Sequence, residues 1–104
     1  MLCAKVGSIG DNRLGGWYAY RASKAALNML IKTAAIELAR TRPQTRLLSL
    51  HPGTVISGLS QPFKGACAAR PASLAARELL SLIDRLAPAD SGNFFAYNAE
   101  RLPW

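Results

Sequence analysis

Between Trp17 and Ala39 the apolar residues Leu27, Leu30, Ile31, Ala34 and Leu38 recur at three- and four-residue steps. That spacing aligns side chains along one face of an α-helix and predicts a buried stripe. Seven alanines in the same stretch raise helix propensity and allow close packing. Arg40 and Arg42 stand where cations suit a helix C-terminus, and Pro43 helps to stop the helix there.

The remaining pattern is shorter-ranged. Met1 to Ile9 is a brief apolar stretch, read as a strand remnant, before the loop signals Asp11-Asn12 and Gly15-Gly16. Arg46 to Leu50 suits a buried strand that His51-Pro52-Gly53 ends abruptly. A loop from Thr54 to about Arg70 leads to Pro71, which opens a second helix with Leu74, Leu79, Leu82, Ile83 and Leu86 on its apolar face. After a turn at Pro88 to Gly92, Asn93 to Tyr97 reads as a last strand, and Leu102-Pro103-Trp104 as a tail. This alternation predicts an α/β fold, with two main helices and about three short strands in a parallel sheet joined by crossover helices. Apolar strands of that kind need cover on both faces, more than two helices are expected to supply.

Composition changes the picture little. The 104 residues carry 13 Lys and Arg against 6 Asp and Glu, giving a formal charge of +7. The cations are dispersed and no cluster has interleaved aromatics for base stacking, so no nucleic-acid partner is expected. No run of about 20 apolar residues exists, so no membrane partner is expected either. The N-terminus has no cleavable signal pattern, which points to the cytoplasm. Cys3 and Cys67 lie too far apart for a metal site and read as reduced apolar fillers rather than a disulfide.

The chemistry concentrates in Tyr20-Arg21-Ala22-Ser23-Lys24. Residues four apart on a helix share a face, about 5–6 Å apart at Cβ. An ammonium beside a phenol stabilises the phenolate, so the pair can move a proton to or from a carbonyl or hydroxyl. Lys24 in the early turns also sits against the helix dipole, a local rule broken near a suspected site. Tyr18 has no lysine four residues beyond it and reads as a packing or substrate-contact residue. His51, the single histidine, has no carboxylate or cysteine partner in sequence and reads as structural.

The wider context is more specific than the pair. Trp17 to Asn28 resembles the catalytic helix of the short-chain dehydrogenase/reductase family, in its C-factor-like, carbonyl-reductase-type branch. Arg46 to Val55 resembles the strand and Pro-Gly turn which that family places beside the nicotinamide, and Leu59 to Phe63 and Ser91 to Tyr97 are similar to the same branch. The resemblance implies the C-terminal part of a doubly wound, Rossmann-like sheet. It implies Tyr20 as general acid/base and Lys24 as the residue that stabilises its phenolate and binds the nicotinamide ribose. Pro52, Gly53, Val55 and Ser57 would line the nicotinamide pocket, with NAD or NADP as cofactor and a small carbonyl or alcohol as substrate. Ser8, twelve residues before Tyr20, is the candidate for the family's catalytic serine. The branch normally carries serine where this chain has Cys3-Ala4.

The family's Gly-rich strand-turn-helix for the pyrophosphate has no counterpart here. Residues 1–104 are therefore expected to form a C-terminal catalytic portion without the N-terminal dinucleotide-binding half, inactive alone. Uncovered apolar surface would favour a homo-oligomer or association with a full-length relative. The alternative is a non-catalytic interaction or signalling fragment that binds a protein partner.

Overall fold

The computed structural model describes residues 1–57 and 69–104. The loop stretch Leu59 to Phe63 and Cys67 lie outside the described residues. Helix α1 runs Tyr18–Thr41 and helix α2 Ala72–Arg85, and three short strands follow the order β1 (Ser49–His51), β2 (Phe94–Ala96) and β3 (Arg101–Leu102) across one sheet. β1 and β2 are parallel, with Ser49 opposite Phe94 and His51 opposite Ala96, and α2 makes the crossover between them.

Two sequence expectations need correction at the sheet. It is mixed rather than wholly parallel, because β3 returns antiparallel to β2, pairing Phe94 with Leu102 and Phe95 with Arg101. This strand runs into the residues read as a tail at Leu102, and its two residues are too few to show a period-two pattern. The turn that reverses the chain places Ala99 at φ 70 and closes with its amide on the Ala96 carbonyl. At the other edge, the expected strand remnant reduces to a single parallel bridge between Leu2 and Leu50, followed by a 3-10 turn at Lys5–Gly7. The Cys3 amide still donates to the Leu50 carbonyl, and the Leu50 amide to that of Met1.

Alternation along β2 divides the core between the two helices, since successive strand residues point to opposite faces. Phe94 and Ala96 join Cys3 and Leu102 on one face, with Leu27 of α1 and Trp104 packed against them. Phe95 turns the other way, to Leu48, Leu50, Leu79 and Leu82, with Ile83 and Leu86 of α2 alongside. Two helices thus cover both faces of this small sheet, contrary to the expectation that they could not. Phe94 is fully buried and stacks on Trp104 at 6.0 Å. Burial of a side chain that size contributes about 1.5–3 kcal/mol.

The buried stripe of α1 is rotated from the one predicted. Ile31 and Ala35 are buried, but Leu30 is 67% exposed and the polar Asn28 lies inside. The Ser49 hydroxyl of β1 donates to the Asn28 Oδ1 at 2.6 Å, while the Asn28 Nδ2 finds no partner among the described residues. Ala35 is buried because α1 passes so close to the turn before β2 that a Cβ on Gly92 would stand 3.1 Å from its methyl. On α2 the packed row is Ala75, Leu79 and Leu82, and Leu74 stays partly exposed. Pro71 caps the helix rather than occupying its first turn.

Candidate functional site

A cleft of about 490 Å³ opens where the N-terminal segment, the start of α1 and the turn after β1 meet. Its walls are Cys3 to Val6, then Trp17 and Tyr20, and finally His51 to Val55 with Ser57. Five residues singled out in the sequence, Tyr20, Pro52, Gly53, Val55 and Ser57, therefore lie together on one cavity. Lys24 and Ser8 do not line it.

Tyr20 occupies the first turn of α1 and is 39% exposed, so its ring is reachable from solvent. One turn on, the Lys24 ammonium lies 5.7 Å from the centre of that ring, within cation–π range. The two side chains share a helix face, as their spacing requires. Gly7 sets the depth of this arrangement, since a Cβ there would lie 2.7 Å from the Lys24 Cβ. Only glycine lets the 3-10 turn and α1 approach so closely.

The entry to α1 is unusual. Gly15, Gly16 and Trp17 all have positive φ, and Trp17 is at φ 56, ψ 37. A left-handed conformation costs a bulky L-residue roughly 1–2 kcal/mol. Arg21 holds the segment in place. Its Nε donates to the Gly16 carbonyl at 2.9 Å, one terminal nitrogen to Gly15 at 3.2 Å and the other to Val6 at 3.3 Å. Sequence reasoning gave Arg21 no role, because its acceptors are backbone atoms that no motif marks.

The opposite wall is fixed in a similar way. Gly53 has φ +79, and a Cβ on it would stand 3.1 Å from the Tyr97 ring and 3.3 Å from Arg70 Cδ. Arg70 donates to the Pro52 carbonyl at 3.1 Å, pairs with Glu78 of α2 and lays its guanidinium over the Tyr97 ring. Its backbone bridges Val55, which lines the cleft. This residue too escaped the sequence reading.

Ser8 does not line the cleft. It is 1% exposed, donates its hydroxyl to the Pro103 carbonyl at 2.5 Å and accepts the Asp11 amide at 3.1 Å. Both capacities are used in tying the N-terminal loop to the C-terminus, away from the cleft. The wall beside Tyr20 carries Cys3 and Ala4 instead, neither with a hydroxyl. Cys3 is buried, and its thiol makes a long contact of 3.6 Å to the Lys24 carbonyl.

His51 closes the end of β1. Its Nδ1 accepts the Lys5 amide at 3.2 Å, which leaves the neutral ring's proton on Nε2. Burial first, and then the charge of Lys5, push its pKa below the ordinary 6.5. Among the described residues no group of three or more His, Cys, Asp and Glu could hold a metal ion, and no helix is long and apolar enough to cross a membrane.

Tyr20 and the Pro-Gly turn thus line one cleft, at the end of strand β1 where it runs parallel to β2. The chain is 40% identical over 102 residues to the C-signal protein of Myxococcus xanthus, covering 97% of this chain and 57% of that one. It superposes on carbonyl reductase Sniffer of D. melanogaster with a TM-score of 0.85 at 32% identity, covering 99% of this chain and 39% of that one. With NADPH-bound carbonyl reductase from chicken fatty liver the TM-score is 0.83 at 27% identity, over 99% and 41% of the two chains. No family model matches. These likenesses support a relationship to the short-chain dehydrogenase/reductase family over part of that fold. The chain spans about half the length of the curated relatives it matches.

Proposed function

We propose that this chain carries the proton-transfer and nicotinamide-contacting half of a carbonyl reductase site, with Tyr20 as general acid/base. The observation that carries this reading is the placement of the Tyr20 ring on the cleft wall with the Lys24 ammonium 5.7 Å from its centre. The cleft suits a nicotinamide ring with its ribose. It is open on one side, is largely apolar, and is bounded by a turn where Gly53 keeps the backbone free of a side chain. NADPH is the favoured cofactor, since a carbonyl reductase of similar fold binds it. Bound there, the reduced nicotinamide would supply a hydride to a substrate carbonyl carbon.

The protein's own part is the proton. Tyr20 gives its phenolic proton to the carbonyl oxygen as the alcohol forms, and the Lys24 ammonium stabilises the phenolate left behind. Pro52, Gly53, Val55 and Ser57 would line the nicotinamide pocket. Ser8, bonded to Pro103 and Asp11, contributes no hydroxyl to the cleft wall.

Among the described residues no Gly-rich turn opens a helix toward a pyrophosphate, so these 104 residues alone would bind dinucleotide weakly and turn over little substrate. The exposed Tyr18, Met29, Leu30 and Ile36 on α1 would favour association with a second copy or a full-length relative. A monodisperse monomer in sedimentation at micromolar concentration would argue against that association. The buried thiol of Cys3 suits a reducing compartment, the cytoplasm.

Titration of the labelled protein with reduced nicotinamide mononucleotide tests the main reading. Amide NMR signals of Tyr20, Gly53 and Val55 should move together, and NADPH should bind no more than about tenfold tighter, because its adenosine half gains few contacts. Unmoved signals at all three positions would defeat the proposal.

A further inference from the structure

We infer that the part of the cleft wall carrying Lys5 and His51 is a carboxylate subsite, so that the carbonyl substrates this chain prefers are oxo acids rather than neutral ketones. The inference rests on the reading of Tyr20, on the same cleft, as the proton donor.

Lys5 and His51 meet because strand and turn are pinned together. Along β1 successive side chains alternate. Ser49 reaches Asn28 of α1, Leu50 joins the cluster under α2, and His51 returns to the α1 side. There its Nδ1 accepts the Lys5 amide at 3.2 Å, while the Lys5 carbonyl accepts the Ser8 amide at 2.9 Å. The backbone of Lys5 is thus held on both sides, and both residues line the cleft. A subsite whose parts are fixed before binding loses little when its ligand orders them.

The charge on that wall is one-sided. Among the described residues that line the cleft, Lys5 is the one formal cation and no Asp or Glu stands with it. Its partner Asp11 lies outside the lining, 3.8 Å from the ammonium, and the two side chains are 42% and 41% exposed. An ion pair that long and that wet contributes about 0–1 kcal/mol, so the ammonium is available to a stronger partner. His51 adds a second donor. With Nδ1 occupied as an acceptor, the neutral ring carries its proton on Nε2, and no hydrogen bond takes that proton among the described residues. Burial, and then the Lys5 charge, hold the ring's pKa below its ordinary value and so keep it neutral. The two oxygens of a carboxylate match one ammonium and one N–H, and hydrogen bonds to an ionised acceptor are about twice as strong as neutral ones. The apolar lining, Val6 included, would cover the carbon chain that brings the carbonyl to Tyr20.

Levulinate and its methyl ester carry the same methyl ketone on the same carbon chain and differ in charge, so they serve as probes. By NMR titration of the full chain, levulinate should bind about tenfold tighter than the ester and should shift the Lys5 amide and the His51 Nε2 signals. Lys5→Met keeps the amide and the aliphatic stem, and should bring the two affinities within about twofold of each other. Lys5→Arg should keep most of the preference. Lys32→Met, which removes one charge away from the cleft, should keep all of it. Equal binding by the unaltered chain, a preference that survives Lys5→Met, or equal losses in Lys5→Met and Lys32→Met, overturns the inference. The phosphate of a nicotinamide nucleotide is the other anion that this chemistry would take. With reduced nicotinamide mononucleotide at saturation, levulinate should keep its advantage over the ester. Loss of that advantage would give the subsite to the nucleotide and overturn the substrate assignment. A chain that ignores the nucleotide but selects levulinate through Lys5 refutes the reductase reading and keeps the subsite, whereas one that binds the nucleotide and not levulinate refutes the subsite alone.

Discussion

The guanidinium of Arg70 lies over the ring of Tyr97, 3.8 Å from its centre, and joins the cleft's Pro-Gly turn to the last part of the sheet. Arg70 also donates to the Pro52 carbonyl and pairs with Glu78, so one side chain links the turn, β2 and α2. Arg70→Ala should lower stability by about 1.5–3 kcal/mol, the range for hydrogen bonds that involve a charged group. Arg70→Lys should recover only part of it, because an ammonium has neither the flat face nor the fork. Urea denaturation of the three proteins checks this. Full recovery by lysine would reduce the residue's contribution to its charge.

Gly7 and Lys24 set a second prediction. A methyl group at position 7 would stand 2.7 Å from the Lys24 Cβ and 2.8 Å from its carbonyl carbon, so α1 must move. Gly7→Ala should cost about 1–3 kcal/mol, the usual cost of overpacking. It should also displace Lys24 from Tyr20, visible as weakened binding of reduced nicotinamide mononucleotide. Unchanged stability would mean that the helix has room to spare.

Ser8 should behave as a structural residue. Ser8→Ala removes the hydrogen bonds to the Asp11 amide and the Pro103 carbonyl, at a cost of about 0.5–1.5 kcal/mol each. Nucleotide affinity, measured by calorimetry at a temperature where both proteins are folded, should not change. A loss of affinity without loss of stability would restore Ser8 to the site.

The pH dependence of stability follows from His51. Its pKa is depressed in the folded chain, so below 6.5 the unfolded chain binds more protons than the folded one. The contribution is complete above pH 6.5 and is lost as pH falls through the lower folded value. The urea midpoint should therefore drop on going from about pH 7.5 to pH 5.5. His51→Asn, which keeps an acceptor for the Lys5 amide, should flatten that drop. An equally steep profile in the variant would place the titrating group elsewhere.

Much of this architecture was legible in the chain because local periods carry it. The helical step of α1 and α2, and the apolar runs ended by His51-Pro52-Gly53 and begun at Asn93, are short-range signals. The Tyr20–Lys24 pair was legible for the same reason, since four residues is one helical turn. Most of the losses were long-range. Ser8 meets a carbonyl 95 residues away, Arg70 meets Pro52 and Tyr97 18 and 27 positions away, and Asn28 is bonded only because Ser49 reaches it. Leu30 faces outward because the sheet lies along Leu27, Ile31 and Ala35, a choice of face that several apolar positions in one helix cannot settle.

The central claim is that Tyr20 and Lys24 act as one unit on a nicotinamide. A double-mutant cycle on the affinity for reduced nicotinamide mononucleotide measures it, using Tyr20→Phe, Lys24→Met and the pair together. Each single change should weaken binding about fivefold, and the double should be little worse than either, as for residues in one network. Independent, additive losses, or affinity untouched by either change, would contradict the account.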